Sequence, residues 1–128
     1  MQNNIVAHRG GIVLVLDCQD PFALAPFWAQ VLDYRQTAVE EPYLALTPPN
    51  PGPPKLLLQR VPERKAAKNR MHLDLHVERL EDERNRLLAL GATQLGDEMS
   101  EAGFRWYVMA DPEGNEFCLV QQSEREGG

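Results

Sequence analysis

The segment from Asp111 to Val120 constrains this chain more than any other. Asp111-Pro112 starts a tight turn, because proline fixes φ and an aspartate can bond its own turn backbone. Gly114-Asn115 ends it, since both residue types tolerate positive φ. Glu116-Phe117-Cys118-Leu119-Val120 follows with no spacer. Polar, apolar, small and apolar residues alternate there, which predicts a strand with two unlike faces. A sharp turn feeding such a strand sets side chains on the wall of a pocket. The residue at 118 therefore bears on whether the pocket holds a metal.

The upstream pattern supplies the rest of a layered fold. Ile12 to Leu16 is continuously apolar and rich in β-branched residues, and predicts a buried strand. Asp20-Pro21 reads as a helix N-cap followed by proline at the first helical position. Leu24, Phe27, Trp28, Val31 and Leu32 then form one helical stripe. Pro26 removes a hydrogen bond inside that helix, so regular helix is expected nearer Leu24. Tyr34–Val39, Tyr43–Thr47 and Lys55–Val61 read as strands, the first two joined at Glu41-Pro42. The prolines of residues 48–54 make a stiff loop, either a rim to a pocket or an ordinary surface connection.

The order then repeats. In Met71–Val77, residues Met71, Leu73, Leu75 and Val77 share one face and His72, Asp74 and His76 the other. A helix with Leu80, Leu87 and Leu88 apolar follows, with Asp82 and Arg86 spaced to pair weakly. Gly91 ends it. Strands are expected at 93–95, 104–109 and 116–121. Strand, helix and three strands, twice over, is an internal duplication of pattern.

A chain of 128 residues suffices for one domain with a core. Its net charge of −6 speaks against a nucleic-acid surface, which needs clustered Lys and Arg. No apolar run is long enough to cross a bilayer, and residues 1–9 lack the apolar stretch of a signal peptide. Two cysteines, Cys18 and Cys118, do not make a disulfide framework, so a reducing cytoplasm is expected. Ser123 to Gly128 reads as a polar, frayed tail.

In this order and spacing the motifs resemble the vicinal oxygen chelate superfamily of glyoxalase I, bleomycin-resistance proteins and extradiol dioxygenases. The resemblance runs from Gly11 to Gln121. It is carried by Phe27-Trp28 through Leu32-Asp33-Tyr34, by His72-Leu73-Asp74-Leu75 with Leu90-Gly91-Ala92, and by Asp111-Pro112-Glu113-Gly114-Asn115. Leu16-Asp17-Cys18, Leu58-Gln59-Arg60-Val61-Pro62, Lys68-Asn69-Arg70-Met71-His72 and Asn115-Glu116-Phe117-Cys118 are similar to the glyoxalase-like domain group within it.

The resemblance implies an α+β fold in a single domain, residues 1–128. Two paired βαβββ modules, about 11–61 and 71–122, would form cupped mixed sheets with helices on the outer face. It also implies a ligand in the cup and, often, a homodimer. Metal-using relatives place ligands on the first and fourth strands of each module. Those positions fall near Gly10 or Gly11, with His8 two residues too early, and on Gln59, His72 and Cys118. Cys118 stands where a glutamate is expected. Glu116 lies on the same face, about 7 Å away at strand rise.

With these substitutions the resemblance implies a small-molecule-binding protein without a complete metal site, and with no cofactor. Leu57, Gln59, His72, Asp74, His76, Trp106 and Cys118 are its expected ligand contacts, and Phe104, Trp106 and Tyr107 share a strand with one face on the cup. A lone cysteine on a strand is more often a small buried apolar residue than a ligand. His72, Asp74 and His76 can also do acid–base work, although no residue is assigned a catalytic role. The alternative is a metal-dependent lyase, isomerase or dioxygenase. In it His72, Gln59 and Glu116 hold a divalent ion such as Zn, Ni, Fe or Mn. A third reading is a scaffold whose cup its own side chains fill.

Overall fold

The structure, a computed structural model, describes residues 12–69 and 71–122. His8, Gly10, Gly11 and the tail from Ser123 lie outside the described residues. The chain divides into two compact units, residues 1–63 and 64–128.

The first unit comprises β1 (Val13–Cys18), α1 (Pro21–Leu32), β2 (Arg35–Glu40), β3 (Tyr43–Thr47) and β4 (Lys55–Arg60). Its sheet runs β1-β4-β3-β2, with β1 parallel to β4 and the other pairs antiparallel. The second comprises β5 (Leu73–His76), α2 (Leu80–Leu90), β6 (Thr93–Gln94), β7 (Met99–Glu101), β8 (Phe104–Ala110) and β9 (Glu116–Gln122). Its order β5-β9-β8-β6, with β7 also on β8, repeats the first. The duplicated pattern is thus an α+β fold of two βαβββ modules, the second with its first strand after the helix broken into β6 and β7.

Helix α1 starts at Pro21, earlier than Pro26 suggested. Asp20 caps it, accepting from the backbone N–H of Phe22 at 3.1 Å and Ala23 at 3.2 Å. Pro26 sits on the exposed side. The Phe22 carbonyl it leaves without a helical partner therefore sits on the wet side, and the helix continues. Leu24, Ala25, Phe27, Trp28 and Val31 are buried, against Leu44, Leu46, Leu56 and Leu58 of the sheet, themselves at most 2% exposed. Each such leucine, valine or phenylalanine contributes about 1.5–3 kcal/mol relative to exposure. Both helices end on a left-handed residue, Asp33 at φ 59° and Gly91 at φ 117°.

Several expectations are corrected. The run Ile12–Leu16 is not buried throughout, since Ile12, Val13 and Val15 are 67%, 52% and 53% exposed. It is an edge strand, and only its Leu14, Leu16 and Cys18 face turns away from solvent. Met71 is 81% exposed and does not join the face of Leu73 and Leu75, because β5 begins only at Leu73. Leu88 is exposed, while Leu80 and Leu87 are buried. Asp82 pairs with Arg79 and Arg86 with Glu83, both at i,i+3 spacing, rather than with each other. Arg79 provides no side-chain cap for α2. Gln121 Oε1 of β9 instead accepts from the Leu80 N–H at 2.8 Å.

Candidate functional site

The turn at 111–115 is built from its first residue. The buried Asp111 carboxylate accepts from the N–H groups of Glu113 and Asn115, both at 2.9 Å, and from the Asn115 amide at 2.9 Å. Gly114 adopts φ 92°, and Asn115 does not share that conformation. Asn115 serves through its side chain instead. The closed turn sets the start of β9, and with it the register in which Cys118 lies between Asp74 of β5 and Val108 of β8.

The two faces of this sheet differ. Tyr107, Met109, Phe117 and Leu119 are buried and alternate with the residues of the other face. Tyr107 therefore does not join Phe104 and Trp106. Its hydroxyl donates to Glu98 at 3.3 Å and accepts from Arg84 at 3.1 Å. Burial, before the nearby charges, raises its pKa.

The opposite face is hollow. A cavity of about 540 Å³ is lined there by Phe104, Trp106, Val108 and Val120, by His72, Asp74, His76 and Cys118, and at its margins by Lys68, Glu101, Ala102 and Glu116. Phe104 also meets His76 edge-to-face at 6.4 Å. The structure thus brings together His72, Asp74, His76, Trp106 and Cys118, five sequence-predicted residues. Leu57 and Gln59 lie half-buried on β4 of the first unit, on the face away from the buried Leu56 and Leu58. The proline loop 48–54 borders a broad depression of that same unit, with Val13, Thr47 and Lys55.

Val108 and Val120 were legible in principle, each two residues along from Trp106 and Cys118 on the same strand face. Glu101 and Ala102 were not. They belong to the β7–β8 hairpin, whose turn at Ala102 (φ 55°) and Gly103 (φ 83°) has an alanine where glycine or asparagine is the usual signal. Lys68 comes from an irregular connection with no periodicity to read.

At one end of the cavity, His72 Nε2 lies 3.1 Å from Asp74 Oδ1, and Cys118 stands beside Asp74 as its ladder partner. Burial, then the Asp74 charge, pushes the Cys118 thiol up to about 11. It is a protonated thiol near neutral pH. Glu116 is turned to the connection instead. Its carboxylate accepts from the Asn69 N–H at 3.4 Å and lies 3.5 Å from Lys68 Nζ.

The metal that the family resemblance implies finds a changed set of donors. Among the described residues, His72, Asp74 and Cys118 have one ligand atom each within 4.8 Å of one another. Such a nitrogen, oxygen and sulfur set fits zinc better than manganese or magnesium, which favour oxygen donors. Glu116 is not part of this group.

No helix among the described residues is long and apolar enough to cross a membrane. The fold matches that of a glyoxalase/bleomycin resistance protein/dioxygenase family enzyme from Burkholderia phytofirmans PsJN. The TM-score is 0.71 at 16% identity, covering 86% of this chain and 96% of the other. It also matches the fosfomycin resistance protein FosX from Mesorhizobium loti, with a TM-score of 0.68, 13% identity and coverage of 88% and 91%. FosX from Listeria monocytogenes, an E126Q mutant complexed with Mn(II) and 1S,2S-dihydroxypropylphosphonic acid, gives 0.70, 12%, 84% and 85%. These likenesses are of fold. No curated protein matches the chain. The family model of the glyoxalase-like domain matches residues 13–120, and the chain belongs to that family.

Proposed function

We propose that this protein binds a small apolar or aromatic metabolite or drug in the cavity of its second unit and lacks the family's usual complete metal site. The carrying observation is a cavity of about 540 Å³ with an aromatic and aliphatic wall and a polar edge. Ligand pockets typically span about 300–1,000 Å³ and combine such walls with a few polar groups. Trp106 and Phe104 offer flat surface, and His72, Asp74, His76 and Cys118 orient polar substituents. This volume also speaks against a scaffold whose cup is filled by its own side chains. A homodimer in a reducing cytoplasm completes the reading, supported by the exposed apolar Val13, Val15 and Val39.

A thermal-shift screen of planar aromatic compounds tests it. Several hits sharing a scaffold are expected. Trp106→Ala should fold as the wild type does and lose at least tenfold in affinity for them, about 1.4 kcal/mol. A library without hits, or hits indifferent to Trp106, would sink the reading.

One observation favours a second reading, a metal-dependent lyase, isomerase or dioxygenase: the three-donor group His72, Asp74 and Cys118. A bound ion would act as a Lewis acid on a substrate oxygen. His72 and Asp74, each about half exposed at the side chain, leave such an oxygen room to approach from the cavity.

A further inference from the structure

We infer that His72, Asp74 and Cys118 form a site for a thiophilic divalent ion, zinc, at the polar edge of the cavity. The inference deepens the metal-dependent reading, yet it needs only binding and no turnover. Three observations carry it.

The first is register. Asp74 and Cys118 are direct partners across the parallel β5–β9 ladder, so their side chains stand side by side on one face. His72 lies two residues before Asp74, on the same side. The second is convergence. One nitrogen, one oxygen and one sulfur approach within 4.8 Å of one another, and His72 and Asp74 already touch at 3.1 Å. The third is access. Both of those side chains are about half exposed, while Cys118 is 8% exposed, which leaves the sulfur reachable through the cavity and sheltered from bulk solvent. Three protein donors with a fourth position open to a cavity is the arrangement of a zinc site that accepts an outside ligand.

The set is not the one the family resemblance implies. Asp74 falls at none of its ligand positions, and Cys118 replaces a glutamate. Exchanging carboxylate for sulfur moves preference from manganese towards zinc. Binding forms one bond each from the ion to nitrogen, oxygen and sulfur, and the Cys118 proton leaves to solvent. No redox change or co-reactant is needed.

The test is titration of the metal-free full chain with Co²⁺, followed by absorption. A thiolate-to-cobalt charge-transfer band saturating at one equivalent is expected. Zn²⁺ should displace the cobalt, and a large excess of Mn²⁺ should not. Cys118→Ser should abolish the band. His72→Ala, on an exposed residue that leaves the core untouched, should weaken cobalt binding by about tenfold or more. Circular dichroism confirms that each variant is folded. Absence of the band, its survival in Cys118→Ser, or preference for Mn²⁺ overturns the inference. The aromatic-ligand reading is tested separately by the Trp106 variants, so either can fail without the other.

Discussion

Burial and the Asp74 carboxylate hold Cys118 as a thiol, its pKa raised from an ordinary 9.0 to about 11. The sign of the stability effect follows. Between those values the unfolded chain loses the proton first, so the contribution is whole below pH 9 and disappears as pH rises through 11. Two pKa units correspond to about 2.7 kcal/mol, which solvent screening at the open cavity reduces. Urea unfolding at pH 8 and pH 11 should show this extra loss in the wild type and not in Cys118→Ala. Asp20 is simpler. Asp20→Ala removes two accepted backbone bonds at the start of α1 and should cost about 1 kcal/mol. Asp20 was readable because capping is local chemistry written in adjacent residues. The contact between Cys118 and Asp74 was not, because it depends on which strands are neighbours and in what register.

Elements with local punctuation were the legible ones. Asp20-Pro21, Gly91 and Asp111-Pro112 mark starts and stops by their own backbone preferences, and the structure puts a cap, a left-handed stop and a closed turn there. Asp111→Ala should cost about 3 kcal/mol or more in urea unfolding, since it strips a buried carboxylate from several donors and leaves them unpaired. The β7–β8 hairpin escaped sequence reading because its left-handed Ala102 carries no signal. The α2 cap escaped because the accepting group, Gln121, is 41 residues away. Gln121→Leu should therefore destabilise by about 1 kcal/mol, although its own position looks like an unremarkable strand end.

Across the whole molecule, the repeated order of elements was visible before any contact was known. Pattern periodicity also separated the two faces of β5 and β9, while the family resemblance, rather than periodicity, put Cys118 and the aromatics of β8 beside His72, Asp74 and His76. It could not tell an apolar run that is buried on both faces from one buried on a single face, and so misread Val13 and Val15. Their exposure predicts self-association. Sedimentation should give a dimer for the wild type, and Val15→Glu should shift it towards monomer, while an unchanged dimer would mean that this face is not the contact.

The cavity beside Trp106 is the centre of the account, and the two tryptophans allow a direct measurement. Trp28 is 1% exposed in the first unit's core, whereas Trp106 lines the cavity of the second. Their indole N–H signals can be followed by heteronuclear NMR, assigned with Trp106→Phe, during titration with the aromatic hits. A saturable shift of the Trp106 signal with the Trp28 signal still is the predicted result. Saturable binding that leaves the Trp106 signal unmoved would contradict the account.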